Sequence, residues 1–103
     1  MRVIWDPEAR ESRNQIARYI HQHFGEKSKD QFLLEVRDAV KMLKNYPSIG
    51  TIDLLFADRP LTYRSVIIGG LSKMVYFVKG DIIYIAAIWD CRREPKAQAE
   101  QVK

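Results

Sequence analysis

The sequence predicts an α+β fold in which an N-terminal strand precedes a two-helix hairpin packed on a C-terminal antiparallel β-sheet. Three observations carry that prediction. Apolar residues recur at helical spacing in two consecutive segments before residue 45, and β-branched and aromatic residues dominate three stretches after residue 60. Short glycine-containing breaks separate those stretches, as antiparallel hairpins require. A chain of 103 residues suits one hydrophobic core, so residues 1–103 are expected to form a single domain. Its 47% hydrophobic and 29% charged residues can fill such a core and argue against intrinsic disorder.

The elements follow in order. Arg2 to Trp5 is short, β-branched and aromatic, and Asp6-Pro7-Glu8 then supplies a helix N-cap, a proline suited to the first helical position and an early acidic residue. Ala9, Ile16, Ile20 and Phe24 share helical spacing, with Gly25 placed to end that helix in a left-handed cap. Ser28 and Gln31 have the form of a capping box opening a second helix, whose apolar face is Phe32, Val36, Val40 and Leu43. Tyr46-Pro47-Ser48-Ile49-Gly50 breaks the pattern, proline because it cannot continue the helix and glycine because it permits backbone angles barred to other residues.

Residues 51–60 fit either a strand or a loop packed on the core. Leu61–Ile68, Lys73–Val78 and Ile82–Trp89 read as strands. The last, IIYIAAIW, is apolar on both alternating faces, which predicts a central strand covered by helices on one side and by something else, a partner included, on the other. The tail from Pro95 to Lys103 is polar and weakly patterned, so its order is expected to depend on a partner. No internal repeat, low-complexity tract or linker divides the chain.

A formal charge of +4 and a pI near 9.3 favour contact with polyanions. The single cysteine, Cys91, forbids an intrachain disulfide and predicts a reducing, cytoplasmic setting. The N-terminus lacks the apolar core of a signal peptide, and no apolar run approaches the roughly 18 to 20 residues that a membrane helix needs. His21 and His23 stand two apart on a helix, hence on different faces, and no cysteine cluster completes a metal site. No metal and no cofactor are expected. Asp53 and Asp58 are too isolated for an acid–base pair, and the glycines form no phosphate-binding fingerprint.

Cationic residues fall near strand starts, turns and the end of the sheet: Arg59, Arg64, Lys73, Lys79, Arg92, Arg93 and Lys96. Arginine offers phosphate bidentate hydrogen bonds and lysine a mobile point charge, so several on one concave face can hold a nucleic-acid backbone. Tyr63, Tyr76, Tyr84 and Trp89 can add stacking surfaces. The same spacing also fits solvated strand ends and core aromatics.

The stretches Tyr63-Arg64-Ser65-Val66-Ile67-Ile68, Lys73-Met74-Val75-Tyr76-Phe77-Val78 and Ile82 through Trp89-Asp90-Cys91-Arg92-Arg93-Glu94-Pro95, with the Tyr46–Gly50 turn, resemble the RelE/ParE toxins of type II toxin–antitoxin systems. With the strand–helix–helix order before them, the resemblance covers nearly the whole chain. It implies a helical hairpin over an antiparallel sheet, growth inhibition, and a cognate antitoxin that wraps the toxin, with operator DNA reached only through that complex. RelE-like members cut messenger RNA on the ribosome, whereas ParE-like members inhibit DNA gyrase without being nucleases. A third class is an inactive or regulatory toxin-fold protein.

For the nuclease the resemblance implies Arg64 at a lysine that contacts substrate or acts as base, Lys73 at an arginine of the next strand, and Arg92 at the arginine that stabilises phosphate. Arg59, Lys79, Arg93 and Lys96 become nucleic-acid contacts, with Tyr63 or Tyr76 auxiliary. These retained cations place ribosome-dependent cleavage ahead of gyrase inhibition. The sequence departs from the nuclease pattern at two points: a guanidinium stays protonated and is a poor base, and no Tyr or His follows Arg93.

Overall fold

The elements follow one another in the order expected from the sequence. The computed structural model describes residues 1–90. Strand β1 (Arg2–Trp5) leads into α1 (Pro7–Phe24), where Asp6 Oδ1 accepts the Glu8 N–H at 2.9 Å and Pro7 occupies the first turn. Helix α2 (Glu26–Asn45) follows after a single residue, Gly25, whose φ of 95° turns the chain and lets its N–H reach the His21 carbonyl. The second helix therefore starts two residues before Ser28. Gly25 is its cap, so Ser28 lies within the first turn, and Gln31 bonds forward to Glu35 at 3.0 Å instead of closing a capping box.

The remaining elements are β2 (Thr51–Ile52), a 3₁₀ turn (Leu54–Phe56), β3 (Arg64–Ile68), β4 (Ser72–Lys79) and β5 (Ile82–Asp90). The open segment 51–60 thus holds both a short strand and a packed turn. The five strands form one sheet in the order β1-β5-β4-β3-β2. Strand β1 lies parallel to β5, with Val3 beside Ile83 and Trp5 beside Ile85. The sheet is consequently mixed: the C-terminal strands pair antiparallel as predicted, while the helical hairpin supplies the crossover that a parallel neighbour needs.

Both helices cover one face. Ala9 and Ala17 of α1 and Phe32, Val36, Ala39 and Leu43 of α2 pack on Ile68, Met74, Tyr76, Ile83, Ile85 and Ile88. Phe24, placed by spacing on the first helix's apolar face, is instead 67% exposed at the last position of α1, where its ring neighbours are Tyr19 and His23.

The opposite face carries a second cluster of Phe56, Tyr63, Val75, Ala87 and Trp89, roofed by the chain's own residues 54–63. A bulge decides which residues of β5 face each side. Val75 pairs with Ala87 but Tyr76 with Ile85, so Ala86 is an extra residue in the ladder. The bulge reverses side-chain parity, sending Ile83, Ile85 and Ile88 to the helices and Ala87 and Trp89 to the other side. Among the described residues no helix is long and apolar enough to cross a membrane.

Candidate functional site

Arg64, Lys73 and Tyr76 come from adjacent strands, yet the register separates them. Arg64 pairs with Tyr76, which belongs to the helix-side cluster. Lys73 stands three residues earlier on β4, so its side chain leaves the sheet on the opposite face, where its ammonium lies 5.7 Å from the Trp89 ring centroid. The two cations do not converge on one point.

Each is also engaged. Arg64 donates to the Gly50 carbonyl at 2.9 Å and toward the Ser48 carbonyl at 3.4 Å. Beside it the fully buried Tyr76 donates its hydroxyl to the Pro47 carbonyl at 2.7 Å and accepts the Gly50 N–H at 2.9 Å. Burial pushes the Tyr76 phenol above its ordinary range, against the opposing pull of the Gly50 hydrogen bond and the Arg64 charge. Together these bonds tie the turn after α2 to the sheet. Gly50 is not a positive-φ position; it is glycine because a Cβ there would sit 2.7 Å from the Tyr76 ring and 3.0 Å from the Ser65 carbonyl. Space, rather than backbone freedom, fixes that residue.

Lys73 forms an ion pair with Asp53 at 3.0 Å, the two side chains being only 17% and 9% exposed. The other Asp53 oxygen caps the 3₁₀ turn by accepting the Leu55 N–H. One carboxylate thus holds both β4 and the segment that roofs the second face. Asp53 was not recognisable from sequence as a functional or structural centre, because its partner lies 20 positions away; the Asx-turn spacing to Leu55 was the available signal.

Arg59 rests with its guanidinium 5.8 Å from the Phe56 ring centroid, on the roof of the second face, and Lys79 is exposed at the β4–β5 turn. Arg92, Arg93 and Lys96, together with Cys91 and the tail from Pro95, lie outside the described residues. Of the rings proposed for base stacking, Tyr63, Tyr76 and Trp89 are buried. Tyr84 is half-buried and stacks on Phe77 with centroids 5.1 Å apart. That pair, with Ile4, Leu61 and Ala86, lines a groove of about 480 Å³ on the part of the second face that residues 54–63 leave open. Among the described residues no group of three or more metal-ligating side chains gathers.

A model of the ParE toxin family of the type II parDE toxin–antitoxin system matches residues 3–95. The chain resembles a solved structure described as a chromosomal ParDE toxin–antitoxin system from P. aeruginosa, with a TM-score of 0.71 and 19% identity over 87% of this chain and 95% of that one. It also resembles a YoeB dimer from Staphylococcus aureus, with a TM-score of 0.56 and 20% identity over 84% and 92% of the respective chains. No curated protein sequence matches it.

Proposed function

We propose that this chain, which belongs to the ParE toxin family of type II toxin–antitoxin systems, stops growth by binding DNA gyrase rather than by cutting RNA. The observation that carries this reading is the arrangement of its polar groups. RNA cleavage by 2′-hydroxyl attack needs a base, an acid and phosphate-stabilising cations around one point. Here Arg64 and Lys73 occupy opposite faces of the sheet, and the Tyr76 hydroxyl is buried between two backbone groups. These residues are best understood as ties that hold the α2–β2 turn and the roof segment. Inhibition by binding requires a shaped surface and no proton transfer, and the Phe77–Tyr84 groove is such a surface.

The family also implies an antitoxin partner, as in the ParDE neighbour. The test is to add the purified chain to gyrase, ATP and relaxed plasmid, and separately to a translating extract. Loss of supercoiling or accumulation of broken plasmid with intact message is expected; in-frame message cleavage with unimpaired gyrase would overturn the reading. A second test uses the double variant Asp53→Asn with Lys73→Met, which keeps the Leu55 cap and the packing on Trp89 while removing both charges. Replacing a buried ion pair as a unit is often neutral for stability. A folded double variant should still arrest growth, and a folded but harmless one would return Lys73 to the chemistry.

A further inference from the structure

A row of aromatic rings crosses the second face of the sheet. Phe56, Tyr63, Phe77 and Tyr84 follow one another with centroids 5.1, 5.2 and 5.1 Å apart. The covered end of the row already holds cations of the chain itself. The Arg59 guanidinium lies 5.8 Å from the Phe56 centroid, and close by the Lys73 ammonium lies 5.7 Å from the Trp89 centroid while paired with Asp53 at 3.0 Å. Around Lys73, ring and carboxylate thus act on one charge, the ring through its quadrupole and the carboxylate through a charge-assisted contact.

The open end of the row has the ring and the carboxylate but no cation of its own. Phe77 and Tyr84 supply rings to the groove of about 480 Å³, and among the described residues the charged ones lining it are Asp6 and Glu8 alone, both exposed. Neither forms an ion pair with another described residue. Asp6 Oδ1 accepts the Glu8 N–H at 2.9 Å, which leaves the second Asp6 oxygen and the Glu8 carboxylate as acceptors. In a chain of formal charge +4 this groove is therefore locally acidic. A polyanion or an acidic peptide is repelled there, whereas a cation gains from the rings and from the carboxylates together. Arginine suits the combination better than lysine, because its planar guanidinium stacks on rings, is more weakly hydrated and offers carboxylates a fork of donors.

We infer that the Phe77–Tyr84 groove receives an arginine side chain of the protein whose inhibition stops growth, with its guanidinium against the Phe77 and Tyr84 rings and bonded to Asp6 and Glu8. That the arginine belongs to the inhibited target rests on the reading of this groove as the inhibitory surface; the preference for a guanidinium rests on the groove's own residues.

The test is an NMR titration of the isotope-labelled full chain with a short capped peptide in which one arginine is flanked by leucines, beside the same peptide carrying citrulline, an uncharged isostere, at that position. The arginine peptide should shift Ile4, Asp6, Glu8, Tyr84 and Ala86 and bind about tenfold or more tightly than the citrulline peptide. In the double variant Asp6→Asn, Glu8→Gln, where asparagine still caps α1, that preference should largely vanish while citrulline binding is unchanged. No binding, equal binding of the two peptides, shifts outside this groove, or an undiminished preference in the folded double variant would each overturn the proposal. The gyrase assay separates this inference from the reading it rests on. A double variant that inhibits gyrase as well as the parent would remove the arginine contact and leave the gyrase reading standing, and a chain that spares gyrase yet prefers the arginine peptide would refute only the target.

Discussion

The two faces of the sheet are built to different ends. Toward the helices, Met74, Tyr76, Ile83, Ile85 and Ile88 are fully buried under two long helices. Toward the other side, residues 54–63 cover Val75, Ala87 and Trp89, while Phe77, Tyr84 and Ala86 remain partly open. The helix face closes by continuous apolar packing, whereas the roof of the second face is fastened by discrete polar ties, Asp53 to Lys73 and to Leu55. The helix face should therefore lose most when an apolar side chain is truncated, and the second face when its largely buried ion pair is broken.

Substitutions sharpen that contrast. The largest stability loss is expected from Ile85→Ala, which empties space in the helix-side core and should cost about 2–5 kcal/mol in urea unfolding. Lys73→Ala strands the Asp53 carboxylate in a largely buried setting and should cost about 2–3 kcal/mol, with the Asp53→Asn, Lys73→Met pair recovering most of it. A cost for the pair equal to that for the single change would mean that the tie does not govern the roof.

Gly50→Ala should cost about 1–3 kcal/mol, because the added methyl meets the Tyr76 ring and the Ser65 carbonyl. Combining it with Tyr76→Phe tests whether both act through one contact, since the summed penalties should then be less than additive. Tyr76→Phe alone should cost about 1–2 kcal/mol by orphaning the Gly50 N–H and the Pro47 carbonyl. The raised Tyr76 pKa sets the pH dependence of that last term: its stabilisation is complete below the ordinary tyrosine pKa of about 10 and is lost as pH rises through the higher folded value. The stability difference between wild type and Tyr76→Phe should therefore shrink above about pH 10. The smallest effect on stability, under about 1 kcal/mol, is expected for Tyr84→Ala on the open part of the second face, where growth arrest should nevertheless fall. Undiminished arrest would remove this groove from the inhibitory surface.

Much of the architecture is legible in the sequence. Period 3.6 in residues 9–24 and 32–43, proline at position 7, and the β-rich stretches around Gly69-Gly70 and Gly80-Asp81 each reflect a preference of neighbouring residues for one another, and each produced an element, although the strand expected from Leu61 begins only at Arg64. Phe24 and the Ser28 capping box show the limit of local reasoning: each fits a local pattern, yet Phe24 stays exposed at the end of α1 and Gly25 caps the second helix ahead of Ser28.

The site was less legible, for a single physical reason. Which face a strand residue occupies changes with every one-residue shift, so the bulge at Ala86 and the pairings of β1 with β5 and of Arg64 with Tyr76 decide which cations can meet. Composition by itself determined a basic chain able to fill a core, and its periodicities determined helices, strands and their order. Only the tertiary structure decided that β1 would run parallel to β5, that Asp53 would hold Lys73 across 20 positions, and that Arg64 and Lys73 would leave the sheet on opposite sides. Those outcomes depend on register and burial between distant segments, which local preferences constrain but do not specify.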